Sequence, residues 1–561
     1  MPNTREKLRI VIVGGVAGGA SAATRARRVN AQAEITILEK GPVVSFANCG
    51  LPYHLGGEIE QRDKLLVATN ELFWNRFRIA VHTQHEVTSI NREQQLISGC
   101  TAEGKTFELT YDRLILSTGS EPVRPPFFAA NAKNVFQLWT LEDMDCILAS
   151  LRERPVKKAT VVGAGFVGLE VVEQLVRRGI EVTLVERDPQ VLGALDCEMA
   201  KLIEGELRRH GVLVHLSASI DSLCYSDEAA TSIDLASGDS IPTDLVIVGA
   251  GVRPRTRLAI DAGLTIGPSG GVRVNEFMQT DDPNIYAVGD MVEYQHGVLS
   301  QPMRIPLAGP ANRAGRVAGA HAALSHASPL HAASEGQALS MGSVVGTCIV
   351  RVFDLTAGAT GLNEKACRAA KIDYRVATIQ APHHASYFPG AKNLTLKLVY
   401  RPHDGKLLGA QAVGAAGCDK RLDVIATVLH FGGTIDDLSK LDLAYAPPFG
   451  AAKDPLHMAA FVSLNDLRQL PRLVEFDTEL EGLQIVDVRS AAEIAQLPLA
   501  GAICIPIDEL AQRWTELDPQ RPTVTVCHSG KRAHIAACWL NGQGFASVKN
   551  LNGGMSVRSL A

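Results

Sequence analysis

A strand that runs straight into a glycine turn and then a helix occurs twice in this chain, and no other feature constrains the fold as tightly. Leu8 to Val13 reads as a strand, Gly14-Gly15-Val16-Ala17-Gly18-Gly19 as the turn, about Gly18 to Asn30 as the helix, and Glu34 to Glu39 as the next strand. The pattern returns at Ala159 to Val162, Gly163 to Gly168, Leu169 to Arg178 and Glu181 to Glu186. Each is a βαβ unit whose helix N-terminus faces the place a pyrophosphate would take. Gly14 serves the tight turn, Gly19 lets helix and strand close together, and Gly18 lies between them. The second loop, with Gly163, Gly165 and Gly168, is a complete G-x-G-x-x-G, whereas Val16 interrupts the first. Glu39 and Glu186 end the second strands, where a carboxylate can accept hydrogen bonds from ribose hydroxyls. Two such folds imply two dinucleotides. Glu186 favours NADH, and the adjacent Arg187 leaves NADPH open.

The bulk properties fit a large multidomain α/β protein. A chain of 561 residues suggests about three or four domains. It is 46% hydrophobic and 20% charged with a net charge of −5, which excludes dominant disorder and leaves no basic surface for nucleic acid. No apolar run reaches the ~18 residues of a membrane span. Charges stand directly before the first strand, without a signal peptide's apolar core, so a cytoplasmic location is expected. The 11 cysteines are scattered, with no C-x-x-C pair and no zinc spacing, so neither a disulfide framework nor a metal site is expected.

Two further segments run from a strand into a small-residue turn: Tyr111-Asp112-Arg113-Leu114-Ile115-Leu116-Ser117-Thr118-Gly119 and Asn284-Ile285-Tyr286-Ala287-Val288-Gly289-Asp290. Both resemble signatures of flavoprotein disulfide reductases. That resemblance implies FAD at the first glycine loop, with Thr118 and Gly119 beside it and Asp290 bonded to the ribityl chain. Just past the first βαβ unit, Ser45-Phe46-Ala47-Asn48-Cys49-Gly50-Leu51-Pro52-Tyr53 closely resembles the SFxNCGLPY segment of the coenzyme A-disulfide reductase branch. The resemblance covers about residues 8 to 455. Reductases with a redox pair place a second cysteine five residues earlier, where this chain has Val44. Cys49 therefore has no resolving partner nearby, and a mixed disulfide on it must be resolved by reduced flavin. Neighbouring peroxidases and oxidases carry a catalytic histidine in the first loop; Ala17 stands there, which argues against peroxide as the main substrate.

The same resemblance implies further roles. Arg25 and Arg28 match arginines that bind the coenzyme's phosphates, although Arg27 and Arg28 together also read as a solvated face. Ser45, Phe46 and Asn48 fall along the pantetheine channel. Tyr387 and Tyr445 match tyrosines that reach the reactive sulfur from the partner subunit, which would make the enzyme a homodimer; two packed loop aromatics is the other reading. Glu170 matches a carboxylate position of the family and reads equally well as an acid favoured at a helix N-terminus.

A final segment differs. Val524-Thr525-Val526 is a strand, Cys527-His528-Ser529-Gly530-Lys531-Arg532 a loop, and Ala533 to Asn541 a helix. A cysteine among backbone N–H groups at a helix N-terminus has a lowered pKa and can hold an anionic outer sulfur, with Lys531 and Arg532 adding positive charge. Ile485-Val486-Asp487-Val488-Arg489 with Glu493, and Asn552-Gly553-Gly554-Met555, resemble the DVR…E element and closing turn of rhodanese domains. The spacing from Cys527 to Arg532 is C-x4-R, the sulfur-transfer length, one residue shorter than in cysteine phosphatases. The usual HIPGA element appears as Leu499-Ala500-Gly501-Ala502, and Ala533 follows Arg532 where serine is common.

The expected organisation is α/β: an FAD-binding domain in two parts (1–150 and 283–325), an NADH-binding domain (151–282), an α+β interface domain (335–460) and a C-terminal rhodanese domain (475–561). Ser325 to Ser340 reads as a loop of unassigned role, and Ser463 to Glu475 as a linker. Fusions of this kind resemble NADH-dependent persulfide reductases. The expected activity is reduction of coenzyme A persulfide or polysulfide with release of hydrosulfide, Cys49 and Cys527 being the catalytic thiols. The alternatives are a coenzyme A-disulfide reductase with an accessory rhodanese, and a non-catalytic sulfur-relay or docking protein.

Overall fold

A computed structural model of the chain describes residues 7–128, 132–324 and 339–560. It divides into two compact units, Met1–Arg187 with Ala218–Gly346, and Asp188–Ser217 with Thr347–Ala561.

The first unit is organised by two parallel sheets. In one, the strands lie in the order Ile285–Ala287, Arg113–Leu116, Arg9–Val13, Glu34–Leu38 and Ile79–His82. Every pairing is parallel, with Ile12 opposite Ile37 on one side and Ile115 on the other. These apolar runs are buried on both faces, as parallel strands require. The helix Ala17–Val29 crosses from the first strand to the second and packs against Ala308–Leu324. That approach is closed by small residues: a Cβ on Gly315 would lie 2.1 Å from the Gly18 carbonyl oxygen, and one on Gly319 would lie 2.2 Å from that of Ala22.

The second sheet sets Glu181–Val185, Lys158–Val162, Leu245–Val248 and Val135–Phe136 side by side and parallel. It takes in Val135–Phe136 ahead of the break expected at 150, and the chain returns to the first sheet at Ile285. The helix expected from Leu169 begins at Phe166, with Gly165 as its N-cap. Val252–Pro254 pairs with Ser120–Pro122 as a short antiparallel ribbon.

The second unit holds an antiparallel sheet and a parallel one. The antiparallel sheet runs Cys348–Val352, Leu355–Gly361, Leu407–Gly414, Asn393–Tyr400, Arg375–Pro382, with the helix Cys418–His430 packed on it. Lys397 is fully buried there, its ammonium paired with Asp196 at 2.9 Å, Glu364 at 2.5 Å and Glu198. Three carboxylates around one ammonium keep the lysine charged in the core and hold its pKa above the usual value. The parallel sheet runs Arg472–Val474, Val548–Leu551, Thr523–Val526, Gln484–Asp487, Ala502–Cys504.

The segment Ser463 to Glu475 is not a linker. The helix Pro455–Leu467 contains its start, capped by the Asp454 carboxylate, and Arg472–Val474 is the edge strand of the parallel sheet. The charges that suggested a solvated tether are paired inside. Buried Asp466 accepts from Arg375, from the Tyr400 hydroxyl at 2.7 Å and from the Leu473 N–H at 2.7 Å. Of Ser325 to Ser340, residues 325–338 lie outside the described residues.

Where the two sheets of this unit meet, Asn552 bonds the edge strand Arg375–Pro382, and the Glu475 carboxyl bonds Asn552. Burial, and then the charge of Glu364, push Glu475 up to about 7, against Lys397, Arg375 and the Asn552 hydrogen bond. A carboxyl whose folded pKa is raised favours its neutral form. Its contribution is complete below the unfolded glutamate pKa of about 4.3 and is lost as pH rises through about 7. The urea midpoint for the second unit should therefore fall between pH 5 and 8, and Glu475→Gln should remove part of that fall. An identical pH profile in the variant would contradict the assignment.

Candidate active sites around two cysteines

Both glycine loops are closed by the same contacts. In the first, Gly14 has φ +97°, and a Cβ on Gly19 would stand 1.9 Å from the Gly14 carbonyl oxygen. In the second, Gly163 has φ +102°, and a Cβ on Gly168 would stand 1.9 Å from the Gly163 carbonyl oxygen. Only glycine permits both the left-handed turn and this approach. The acid at the end of the following strand folds onto each loop: Glu39 Oε2 accepts from Gly15 N–H and Glu186 Oε2 from Ala164 N–H, both at 2.7 Å. Nothing lies within 4 Å of a Cβ built on Gly165, so the second helix N-terminus is open above its backbone. These cradles fit two dinucleotides.

The two turns expected beside the first loop follow neighbouring strands of its sheet. Thr118 donates to the Arg255 carbonyl at 2.7 Å, and Gly119 has φ +65°. Asp290 accepts from the Ser120 hydroxyl at 2.8 Å, and burial raises its pKa against that bond and the charge of Arg304. Ser120 is a partner that the sequence did not single out; its place one residue past the Thr118-Gly119 turn was the available signal.

Cys49 sits in the short 3-10 turn Asn48–Gly50 and is reachable from solvent, although the protein packed around the turn partly desolvates its thiol. The chain before it is strapped down. Ser45 is buried with φ +51°, its N–H bonded to the Gly15 carbonyl and its carbonyl accepting from Val67 N–H. Phe46 bridges Leu66, and Ala47 N–H bonds the Leu65 carbonyl. One turn beyond the cysteine, the Tyr53 hydroxyl donates to Glu170 Oε1 at 3.1 Å, joining the Cys49 segment to the helix of the second glycine loop. Burial and then the Glu170 carboxylate push the Cys49 thiol up; the hydrogen bond at its own backbone N–H opposes, and Asp290 adds a smaller push.

The three arginines on the first helix separate. Arg27 is structural, donating to the Phe77, Arg78 and Ala31 carbonyls. Arg28 is exposed over the Phe77 ring. Arg25 has a buried Nε without a hydrogen-bond partner, and burial together with Arg316 and Arg28 lowers its pKa. A crowded cationic group with a spare donor fits a phosphate.

In the second unit, Tyr387 and Tyr445 come together, hydroxyl to hydroxyl at 3.2 Å, and both are exposed, Tyr387 by 75%. Cys527 lies at the end of the strand Thr523–Val526 and is 1% exposed. Gly530, with φ +84°, opens the helix Lys531–Gly542, which starts two residues before the expected Ala533. Lys531 is exposed. Arg532 makes a two-pronged pair with Glu493, at 2.8 and 2.5 Å, and bonds the Cys527 side chain. Hydrogen bonds from Arg532 and from Ser490 pull Glu493 down to about 2. The buried Asp487–Arg489 pair, at 2.6 Å, ties the neighbouring strand end to the Leu497 carbonyl. Glu493 was legible as part of the DVR…E element, but its grip on Arg532 was not.

The comparisons agree with this geometry. The pyridine nucleotide-disulphide oxidoreductase family matches residues 8–327, its dimerisation domain residues 347–455, and the rhodanese-like domain residues 473–557. A coenzyme A disulfide reductase of Staphylococcus haemolyticus is 34% identical over 454 residues, 81% of this chain and 98% of that protein. The reduced CoADR-RHD of Bacillus anthracis is 39% identical with a TM-score of 0.94, covering 100% of this chain and 99% of that one. The NAD-dependent persulfide reductase from A. fulgidus is 36% identical with a TM-score of 0.90, covering 98% and 100%.

The twin loops predict separable losses. Gly19→Ala forces backbone movement that costs about 1–3 kcal/mol or more, so the purified protein should lose bound FAD. Gly168→Ala should keep FAD but slow its bleaching by NADH. Absorbance spectra and anaerobic stopped-flow read both, and full flavin retention in Gly19→Ala would contradict the assignment of the first loop.

Proposed function

The chain belongs to the pyridine nucleotide-disulphide oxidoreductase family, and on that footing we propose that it is an NADH-dependent flavoprotein reductase of coenzyme A persulfide and related polysulfides. The rhodanese-like domain then handles sulfane sulfur on Cys527. The reading rests on one observation above all: a single redox cysteine in an SFANCGLPY segment and an intact Cys527 loop occupy one chain. Tethering a sulfur carrier to a reductase raises the local concentration of donor and acceptor. FAD is held within 1–150 and 283–325, NADH within 151–282 on a sheet that also takes in Val135–Phe136; 335–460 form a homodimer interface, and the sulfur-transfer domain expected at 475–561 starts earlier, at its edge strand Arg472–Val474. Among the described residues no helix is long and apolar enough to cross a membrane.

The protein's part in the reaction is to bind, orient and supply a thiol. Gly14, Gly18, Gly19, Glu39, Thr118, Gly119 and Asp290 hold FAD; Gly163, Gly165, Gly168 and Glu186 hold NADH. Arg25 and Arg28 take the coenzyme's phosphates, and Ser45, Phe46 and Asn48 guide its pantetheine arm to Cys49. The Cys49 thiolate attacks the inner sulfur of the persulfide, forms a Cys49–S–S–coenzyme A disulfide and expels hydrosulfide. The bound flavin, once reduced by NADH, would supply the two electrons needed to return this disulfide to the Cys49 thiol and free coenzyme A. Tyr387 and Tyr445, contributed by the partner subunit, donate hydrogen bonds to the departing sulfur. Cys527, with Lys531 and Arg532 balancing its charge, accepts or delivers sulfane sulfur. Reduction of coenzyme A disulfide is the second reading, supported by the curated relatives named for that activity.

Anaerobic NADH oxidation separates the two. A kcat/KM for coenzyme A persulfide at least about tenfold above that for the disulfide, roughly 1.4 kcal/mol of transition-state preference, is expected; a preference for the disulfide would establish the second reading. Cys49→Ser should abolish turnover with FAD still bound. Cys527→Ser should remove sulfur transfer from thiosulfate to cyanide and spare disulfide reduction, and retained transfer would move that chemistry to another residue.

A further inference from the structure

An edge strand leaves a row of backbone N–H and C=O groups without a neighbouring strand. Arg375–Pro382 is such an edge in the antiparallel sheet of the second unit. One side chain takes the place of the missing strand. Asn552 Oδ1 accepts from the Thr378 N–H at 2.8 Å, and its Nδ2 donates to the Val376 carbonyl at 3.3 Å. An asparagine amide carries the same acceptor and donor as a peptide unit, so it can complete a ladder position. Asn552 is 1% exposed, and its own N–H bonds the Val474 carbonyl.

The residues that follow Asn552 run directly to the sulfur loop. Gly553 and Gly554 have φ +68° and +66°. A Cβ on Gly553 would stand 2.5 Å from Val557 Cγ2, and one on Gly554 would stand 2.5 Å from the Cys527 carbonyl oxygen and 2.6 Å from that of His528. Met555 N–H then bonds the Cys527 carbonyl and Ser556 N–H the His528 carbonyl, both at 2.9 Å. Across the loop, Asn550 Nδ2 donates to the Gly530 carbonyl at 3.1 Å. Residues 552 to 556 therefore grip the antiparallel sheet at one end and the backbone of Cys527 at the other, through a turn packed too closely to absorb a shift.

We propose that Asn552 is a positioning residue for sulfur transfer: by completing the edge strand Arg375–Pro382 it holds the Cys527 loop in the conformation fixed by the Met555 and Ser556 N–H groups, so that the order of this loop depends on a contact outside the rhodanese-like fold. This deepens the sulfur-transfer reading and rests on it for its functional meaning. The loop does not act as an independent module, and whatever loosens the strand contact exposes the buried thiol.

The test uses the full-length FAD-bound enzyme and iodoacetamide, with peptide mass spectrometry to locate the label. Asn552→Ala removes the side chain from the loop side. Thr378→Pro removes the N–H from the strand side, at a residue whose N–H points away from the sheet and where an edge strand tolerates proline. Each is expected to speed alkylation of Cys527 by about fivefold or more, and the double variant should match the singles rather than multiply them. Asn552→Asp keeps an acceptor for Thr378 but loses the donor to Val376 and faces Glu475. It should also speed alkylation, and it serves if Thr378→Pro fails to fold. In thiosulfate-to-cyanide transfer, kcat/KM for thiosulfate should fall mainly through a higher KM, because the loop is disordered in the free variant before sulfur arrives. Alkylation within about twofold of the unsubstituted enzyme in Thr378→Pro, or in Asn552→Asp where the proline variant does not fold, would overturn the proposal. Labelling reads thiol exposure and not turnover, so this outcome is independent of whether Cys527 carries sulfur.

Discussion

Much of this molecule depends on a backbone approach that leaves no room for a side chain. The Gly14 carbonyl oxygen sits 1.9 Å from where a Gly19 Cβ would begin, and the Gly163 oxygen sits at the same distance from Gly168. That contact lets each crossover helix start hard against its strand, which aims the first N–H groups of the helix at one point in space. It also brings the end of the next strand close enough for Glu39 and Glu186 to reach the loop. The first helix can then lie against Ala308–Leu324, again through glycines. The turns at Thr118-Gly119 and Asp290 follow strands of the same parallel sheet, so strand register sets where these turns lie.

A second constraint is chemical. One thiol in the SFANCGLPY segment, with valine where a partner cysteine would stand, cannot form an internal disulfide there. Electrons must reach a substrate disulfide through the thiol that holds it. The surroundings of Cys49 are not those of a permanently ionised thiolate: burial and Glu170 both disfavour the anion.

The sequence was most legible where backbone geometry dictates residue type. Glycines at left-handed or close-packed positions announced themselves because few residues can occupy those places, whereas the cysteine segment and the C-x4-R loop were read through their resemblance to known families. It was least legible where the decisive partner is distant. Nothing near Asp466 says that Arg375, Tyr400 and Leu473 will surround it, so Ser463 to Glu475 read as a tether when it is a helix and an edge strand. The pairing of Tyr53 with Glu170 joins residues 117 positions apart, and that of Ser120 with Asp290 joins residues 170 apart. Arg27, read with Arg28 as solvated surface, is consumed by backbone carbonyls of another segment. Local pattern gives elements and loops; long-range hydrogen bonds appear only when the topology brings them together.

The central claim is that Cys49 alone forms the mixed disulfide with coenzyme A. Oxidised, FAD-bound enzyme mixed with coenzyme A disulfide in the absence of NADH tests it directly, with intact-mass and peptide mass spectrometry as the readout. The account predicts one coenzyme A adduct per chain, on Cys49, with one coenzyme A released as it forms and a second on addition of one equivalent of NADH. An adduct on another cysteine, or a disulfide between Cys49 and a second cysteine of the chain, would contradict it.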